Sequence, residues 1–590
     1  MADISAEPKP IQAIYEWFSS NRIIVNRSYQ RKLVWTLEEK QKLIDSILKR
    51  YPIPLILMAE VKSETDSNFE IIDGLQRLHT IISFIEGQFC TSDGRYFATE
   101  YFTAALNRRK EEKYVENADI NIRIGSNEVA LILNYVMPVS ILRNITPEQI
   151  TEVFSRINSY GHRLSDQERR QAGLLGNFSN LVRNLACDIR GDVSFDRLLL
   201  NDMPSISIDL PNSRYGYQIQ ASNVFWVRHG ILQSTGLRDS MDEQAIADLI
   251  ASVVLSDPVD RSKEYLDNAY DAGSEESIAL SSALQIYGEK RLADEFKFVI
   301  QVIDEICAYS NPSSLRKILF KNANTNPFPT IFSTVFLAVH NIIFKDRKVL
   351  SDTAKAYDGL TNITERLNTR RNALSVDERK KNLAAAKGIL QDAFVSGKPE
   401  KIAYTNISVI DLENLIRRSP IETSRFEIKQ GVVSLDQSRK INPSVFNDIV
   451  QSICGIANIG KDSEGHVLIG VADREEHAKR IEHLDAISAI NLGKRFIVGV
   501  DREAKILGIT TEQYLQKWRD AIANSKLSQL LKDGVLANID LITYHGLNVV
   551  HIRIPSQKAV SLVGDSYFSR KADSTHEAKG LEIASLFSRF

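Results

Sequence analysis

Cysteine is scarce in this chain: four in 590 residues, at Cys90, Cys187, Cys307 and Cys454. None stands in a C-x-x-C pair, which argues against a zinc site or a disulfide framework and predicts buried thiols in a reducing compartment. An excess of one charge is missing too. The 73 basic groups meet 75 acidic ones, net −2, so no global field draws the molecule onto nucleic acid, and such binding must come from a local patch. No run of about 18 apolar residues occurs, which predicts no membrane-spanning helix. The opening MADISAEPKP lacks the basic-then-apolar pattern of a signal peptide, and the reading is cytoplasmic. Internal repeats and low-complexity tracts are absent as well. What is present is ordinary for globular domains, with 43% hydrophobic and 25% charged residues. The length predicts roughly three domains.

One stretch organises the first part of the chain, FEIIDGLQRLHTIISF at Phe69–Phe84. Phe69–Ile72 reads as a strand end, and Leu78, Ile81, Ile82 and Ile85 recur at helical spacing. Between them Asp73-Gly74-Leu75-Gln76-Arg77 reads as a turn. A strand feeding a helix through such a turn presents free backbone N–H groups and the positive end of a helix dipole, which together make an anion site. Asp73 is then a candidate for a metal or a water, and Arg77 for a phosphate. The alternative is structural: Asp73 and Gln76 form a capping box, and Gly74 only eases the turn.

Around this stretch the pattern predicts a helix over Ile11–Phe18 and a strand over Ile23–Val25. A second helix starts at the Thr36/Glu39 capping box and stops at Tyr51-Pro52-Ile53-Pro54. Leu55–Met58 reads as a strand, Val61–Asn68 as a polar loop and Tyr135–Leu142 as a strand. If the strands at Ile23 and Phe69 pair, Arg31 faces Arg77 across one pocket; otherwise Arg31 is a surface arginine or a partner of Asp73. Thr146, Pro147 and Gln149 start another helix, and Ser165 with Glu168 caps the next. Caps do not explain why Arg156, Asn158 and Arg170 crowd one corner. From Gln167 to about His340 the chain reads as mostly helical. Leu350–Ala403, with Arg370, Arg371, Arg379, Lys380 and Lys381, reads as a connector with a solvated charged face. Val409–Arg418 is a helix stopped by Pro420. Beyond it the texture becomes α/β, with strands at Phe426–Lys429, His466–Val471, Ile539–Tyr544, Val549–Ile554 and Tyr567–Ser569, and a helix at Ser444–Ile456.

Several separate blocks carry a resemblance in the first part: Tyr29-Gln30-Arg31, Trp35, Ile44-Asp45-Ser46, Pro52-Ile53-Pro54, Asp73–Arg77, and Phe154-Ser155-Arg156-Ile157-Asn158-Ser159 with Gly161, Leu164 and Glu168. In order and spacing they resemble the N-terminal domain of GmrSD-type restriction proteins, a ParB/sulfiredoxin-like domain. Leu75 departs from that pattern, which usually has a second Gln there. The resemblance implies nucleotide binding or hydrolysis coupled to DNA surveillance in defence against phage. By it, Gln30, Arg31, Asp73, Gly74, Gln76, Arg77, Arg156 and Asn158 line the nucleotide pocket, and Asp73, Gln76 and Arg77 carry any hydrolysis, which needs mainly positioning and charge neutralisation.

Further on, Glu422-Thr423-Ser424-Arg425-Phe426-Glu427-Ile428-Lys429, Ile453-Cys454-Gly455-Ile456-Ala457-Asn458, Gly465 with Leu468–Asp473, and Tyr567–Arg570 with Ser574-Thr575 resemble the Schlafen AlbA-like domain. The family's Gly-Gly after Asn is split here into Gly460 and Gly465. This resemblance implies that Glu422, Glu427 and Asp473 form an acidic site for Mg²⁺ or Mn²⁺ that activates water toward a phosphodiester. Lys429 shares a strand face with Glu427 and would neutralise phosphate charge. Glu422 and Glu427 converge only if the backbone bends between them. The structural alternative makes Glu427 and Lys429 an exposed ion pair and Asp473 a turn cap.

The expected architecture is α+β. A ParB/sulfiredoxin-like α/β domain spans 1–175, a large helical extension 176–345, a charged helical linker 346–408 and a Schlafen AlbA-like α/β domain 409–590. The expected function is prokaryotic anti-phage defence. A nucleoside triphosphate bound or hydrolysed in the first domain would govern DNA or RNA binding, with metal-dependent cleavage, in the last. Two other readings are a non-catalytic nucleotide-gated DNA-binding regulator and a scaffold in which both domains serve assembly. A homo-oligomer is an open expectation, and a membrane partner is not expected.

Overall fold

The structure is a computed structural model. It describes the whole chain except residues 1–2, 27–32, 34, 63–66, 112–113, 115–121, 147–148, 151, 154–155, 157–164, 172–175, 193–196, 204–205, 208–218, 311–313, 323–324, 369–374, 398–408, 421–422, 462 and 572. The fold is α+β, and packing divides the chain into two compact units, Met1–Lys398 and Pro399–Phe590. Among the described residues no helix is long and apolar enough to cross a membrane.

The first unit is built on a six-stranded mixed sheet. Its strands are β1 (Asp3–Ala6), β2 (Ile23–Asn26), β3 (Ile56–Lys62), β4 (Ser67–Asp73), β5 (Val139–Arg143) and β6 (Arg197–Leu199), in the spatial order β1-β5-β3-β4-β2-β6. β2 runs parallel to β4, with Ile23 opposite Phe69 and Ile24 opposite Glu70. β3 and β4 are antiparallel and longer than the sequence pattern predicts, so both ends of the expected loop Val61–Asn68 are strand, its middle, 63–66, lying outside the described residues. The strand expected at Tyr135–Leu142 divides at Pro138, which has no N–H to give a ladder.

One face of this sheet is covered by α1 (Ile11–Ser19), α2 (Leu37–Leu48) and α3 (Leu75–Ile85). Ile14, Phe18, Ile44, Ile47, Leu78 and Ile82 from these helices pack on Ile23, Val25, Met58, Phe69, Ile71 and Ile141. The Thr36/Glu39 capping box forms as predicted and starts α2. The other face carries a smaller cluster of Leu57, Ala59, Ile72 and Leu142 under Ile145, Ile150 and Val153. Thr146 and Gln149 cap each other reciprocally at the start of that covering helix.

The rest of the unit is mostly helical, as the periodicity predicts. It includes α4 (Asn177–Arg190), α5 (Met241–Val254), α6 (Lys263–Tyr270), α7 (Glu289–Ala308), α8 (Pro329–His340) and α9 (Val376–Leu390). One expectation changes here. Arg379 is not on a solvated face. It is buried in α9 and forks onto Asp248 of α5 at 2.8 and 2.9 Å, with Ser333 at 3.0 Å. Lys380 and Lys381 are exposed, as expected, and Arg370 and Arg371 lie outside the described residues. A buried fork is stable because the desolvated guanidinium meets a carboxylate of matching geometry.

In the second unit, α10 (Val409–Arg418) and α11 (Ser444–Ala457) match their predicted spans almost residue for residue. The strands are β7 (Phe426–Lys429), β8 (Gly465–Ile469), β9 (Val471–Ala472), β10 (Ile490–Leu492), β11 (Arg495–Ile497), β12 (Ile539–Tyr544), β13 (Leu547–Ile554), β14 (Phe568–Lys571) and β15 (Ser574–Glu577). They form a four-stranded sheet β7-β8-β13-β12, a three-stranded sheet β9-β11-β10 and the hairpin β14-β15. All four cysteines are free thiols, with Cys307 and Cys454 buried and Cys90 and Cys187 partly exposed.

Candidate nucleotide site and the acidic strand

β2 and β4 are neighbouring parallel strands, so their carboxyl ends, Asn26 and Asp73, leave the sheet along one edge. In α/β sheets that edge is where ligands settle. At the end of β4 the ladder is irregular. Met58 stands opposite Ile71, but Leu57 stands opposite Asp73, so Ile72 is an extra residue, a β-bulge. The bulge changes which face Asp73 serves. Glu70 lies opposite Ala59 and Asp73 opposite Leu57, and both of these partners belong to the smaller, second-face cluster. Strict alternation over three residues would have put the two carboxylates on opposite faces.

Gly74 follows with φ +97° and serves as the N-cap of α3, without any side-chain cap bond. A Cβ at Gly74 would sit 2.4 Å from Ile56 Cδ1, so the tight turn demands glycine. The Asp73/Gln76 capping box therefore does not form, because the helix starts one residue later than that alternative needs. Asp73 Oδ1 accepts the Gly74 N–H at 2.7 Å and Oδ2 accepts Arg77 Nη2 at 2.8 Å. Gln76 Oε1 accepts the Trp35 N–H at 3.4 Å and ties the chain before α2 to α3. Arg77 is 12% exposed and Asp73 44%. Arg77 Nη1 is buried and makes no hydrogen bond among the described residues. One arm of the guanidinium is thus fixed by Asp73, and the other, at the dipole end of a helix, is a donor with no partner among the described residues. Two residues on, His79 is buried, and desolvation with the Lys40 charge depresses its pKa to about 3, so the imidazole is neutral.

Gln30, Arg31 and Asn158 lie outside the described residues, so the facing of Arg31 and Arg77 does too. Arg156 is exposed and paired with Glu152 at 2.6 Å, whereas Arg170 is buried and bonded to Asp267 of α6 at 2.6 Å. The structure gives these two arginines separate partners. Three residues that the sequence reading missed stand on the second face: Glu70, fully buried, accepts Asn26 Nδ2 at 3.1 Å and lies 3.4 Å from Arg197 Nε of β6. The E-x-x-D spacing held the signal, but without the bulge it pointed to opposite faces.

In the second unit, Glu422 lies outside the described residues. A 3₁₀ turn at Thr423–Arg425 precedes β7, and the convergence of Glu422 with Glu427 falls outside the described residues. Glu427 does share a face with Lys429, at 2.9 Å, but the pair is not exposed. Glu427 is buried, and its other oxygen accepts Arg570 Nη1 at 2.6 Å. Arg570 also donates to the Phe426 carbonyl at 2.6 Å and to Thr575 Oγ1 at 2.9 Å, fastening the hairpin β14-β15 to β7. Asp473 is paired with His477 at 3.1 Å, and its backbone carbonyl accepts Arg495 Nη1 at 3.2 Å. Among the described residues no three His, Cys, Asp or Glu side chains are grouped to hold a metal ion. Behind the sheet, His466 Nδ1 and His551 Nε2 are 3.1 Å apart. Burial depresses both pKa values, that of His551 to about 4, so this pair is neutral.

No curated protein and no solved structure matches the chain. Residues 14–175 do match a family model, and the segment that carries Asp73, the bulge, Gly74 and Arg77 is thereby similar to the domain it describes, the GmrSD restriction endonuclease N-terminal domain.

Proposed function

We propose that the first unit binds a nucleoside triphosphate at the carboxyl edge of β2 and β4, and that the protein acts in restriction of foreign DNA, with the second unit as the nucleic-acid-holding part. The observation that carries the reading is Arg77: a guanidinium held on one side by Asp73, with its second arm buried and without a hydrogen bond among the described residues, at the start of a helix whose N-cap is glycine. A phosphate would complete that donor set with a charge-assisted bond and meet the helix dipole. Arg77 then binds and neutralises phosphate charge. Asp73 orients Arg77. Gly74 lets the backbone come close, and Gln76 holds the Trp35 segment against the site.

A divalent cation accompanying the triphosphate would meet Asp73, whose two oxygens accept two hydrogen bonds against about four lone-pair sites. Such an ion offsets phosphate charge during transfer. The DNA partner follows from the restriction family that residues 14–175 resemble.

The described carboxylates of the second unit do not fit a resident metal. Glu427 is committed to Arg570 and Lys429, and Asp473 to His477. The favoured reading is a nucleotide-governed protein whose second unit, taken as a Schlafen AlbA-like domain, holds DNA or RNA.

The test is a titration of the full chain with ATP and GTP in Mg²⁺, read by thermal shift and phosphate release. Binding must raise the melting temperature by mass action, and Arg77→Ala should abolish that rise while leaving the unliganded transition in place. An unchanged response in Arg77→Ala overturns the assignment.

A further inference from the structure

The second face of the first sheet carries a polar strip that no part of the reading above uses. Asn26 at the end of β2, Glu70 in β4 and Arg197 in β6 lie side by side: Asn26 is the register partner of Arg197, and Glu70 touches both. The bulge at Ile72 brings Asp73, the first paired residue past the shift in register, onto the same face. Glu70 is fully buried, whereas Arg197 is 46% exposed. Its Nε lies 3.4 Å from Glu70, a long ion pair that holds one side of the guanidinium. β6 sits next to β2, which sits next to β4, so Arg197 stands two strand spacings, about 10 Å, from the strand that ends in Asp73. A buried carboxylate backs a half-exposed guanidinium beside the exit of a parallel strand pair, a second carboxylate–arginine pair with burial reversed from that of Asp73 and Arg77.

We infer that the nucleotide site extends across the carboxyl edge to Arg197, which contacts the phosphate chain, with Glu70 as the positioning residue that aims it. The inference rests on the nucleotide reading above and adds a second cation from outside residues 14–175. It separates the phosphate chain into two points of contact, Arg77 at the helix start and Arg197 at the outer strand. A ligand with a short phosphate chain reaches one of them, and a triphosphate reaches both.

The experiment titrates the full-length wild type, Arg197→Ala, Arg197→Lys and Glu70→Gln with ATP, AMP and inorganic tripolyphosphate in Mg²⁺, reading affinity by calorimetry and fold by melting temperature. Arg197→Ala should weaken ATP and tripolyphosphate by about tenfold, the scale of one charged hydrogen bond, and leave AMP unchanged. Arg197→Lys should recover part of the loss. Glu70→Gln keeps the shape of the buried side chain but removes its charge, and should weaken ATP while AMP stays the same. A merely structural role would weaken all three ligands together and lower the melting temperature, and that result overturns the inference. Wild type that binds ATP as well as Arg197→Ala does overturns the inference and leaves the Arg77 reading standing. Wild type that binds none of the three overturns both.

Discussion

Gly74, Asp73 and Arg77 form a local device in which each residue type is dictated by its neighbour. A side chain at Gly74 meets Ile56 and a positive φ together, so Gly74→Ala should cost about 1–2 kcal/mol, seen as a lower melting temperature, and should weaken nucleotide binding as well. Asp73→Asn keeps the size of the side chain but weakens its hold on Arg77, so nucleotide affinity should fall without a matching loss of stability. Much of this device was readable from the letters, because a strand, a glycine and a helix follow one another within a few residues. Its partners were not. Glu70 finds Asn26 and Arg197 at separations of 44 and 127 residues, and Arg379 finds Asp248 at 131. Local pattern carries no information about such pairings, so Arg379 looked like part of a solvated charge run. Glu427 looked like a metal ligand for the same reason: its partner Arg570 is 143 residues away.

Elements whose ends are set by nearby residues were legible. The capping box of α2, the proline-limited α10 and the apolar stripes of α3 and α11 all lie where the spacing puts them. Thr36→Ala removes the side-chain acceptor at the start of α2 and should cost about 1 kcal/mol, measured by thermal or denaturant unfolding. The hairpin β14-β15 depends on one buried ion pair instead. Arg570→Met leaves Glu427 buried without its main partner and should cost about 3–5 kcal/mol. Exchange of the β14 and β15 amides should rise first, before those of β8 and β13. The bulge in β4 was not legible, since it exists only in the pairing of two strands, and it decides which face the site uses.

At the scale of the whole molecule, the two units should answer acid differently. His551 has a folded pKa of about 4, below its ordinary value, and that of His466 is also depressed, both chiefly by burial. Their unfolded forms take up protons first, so the second unit should lose stability as pH falls from about 6.5 toward 4. In the first unit His79 acts in the same direction. Glu86 opposes it: burial raises its pKa to about 7, so its folded form binds the extra proton and its contribution falls as pH rises from about 4.5 to 7. The first unit should therefore stay nearly level across that window. Hydrogen exchange on the full chain, corrected for intrinsic rates, checks this; equal acid loss in both units would refute it. A different consequence follows from β6. It hydrogen-bonds to β2 from beyond residue 175, and Leu200 and Met203 just after it sit in the same core as α1. A chain trimmed at the end of the matched segment would leave the β2 backbone bare along one side. Exposed strand edges recruit other strands, so such a fragment should precipitate or self-associate on expression, and adding back residues through 203 should cure it.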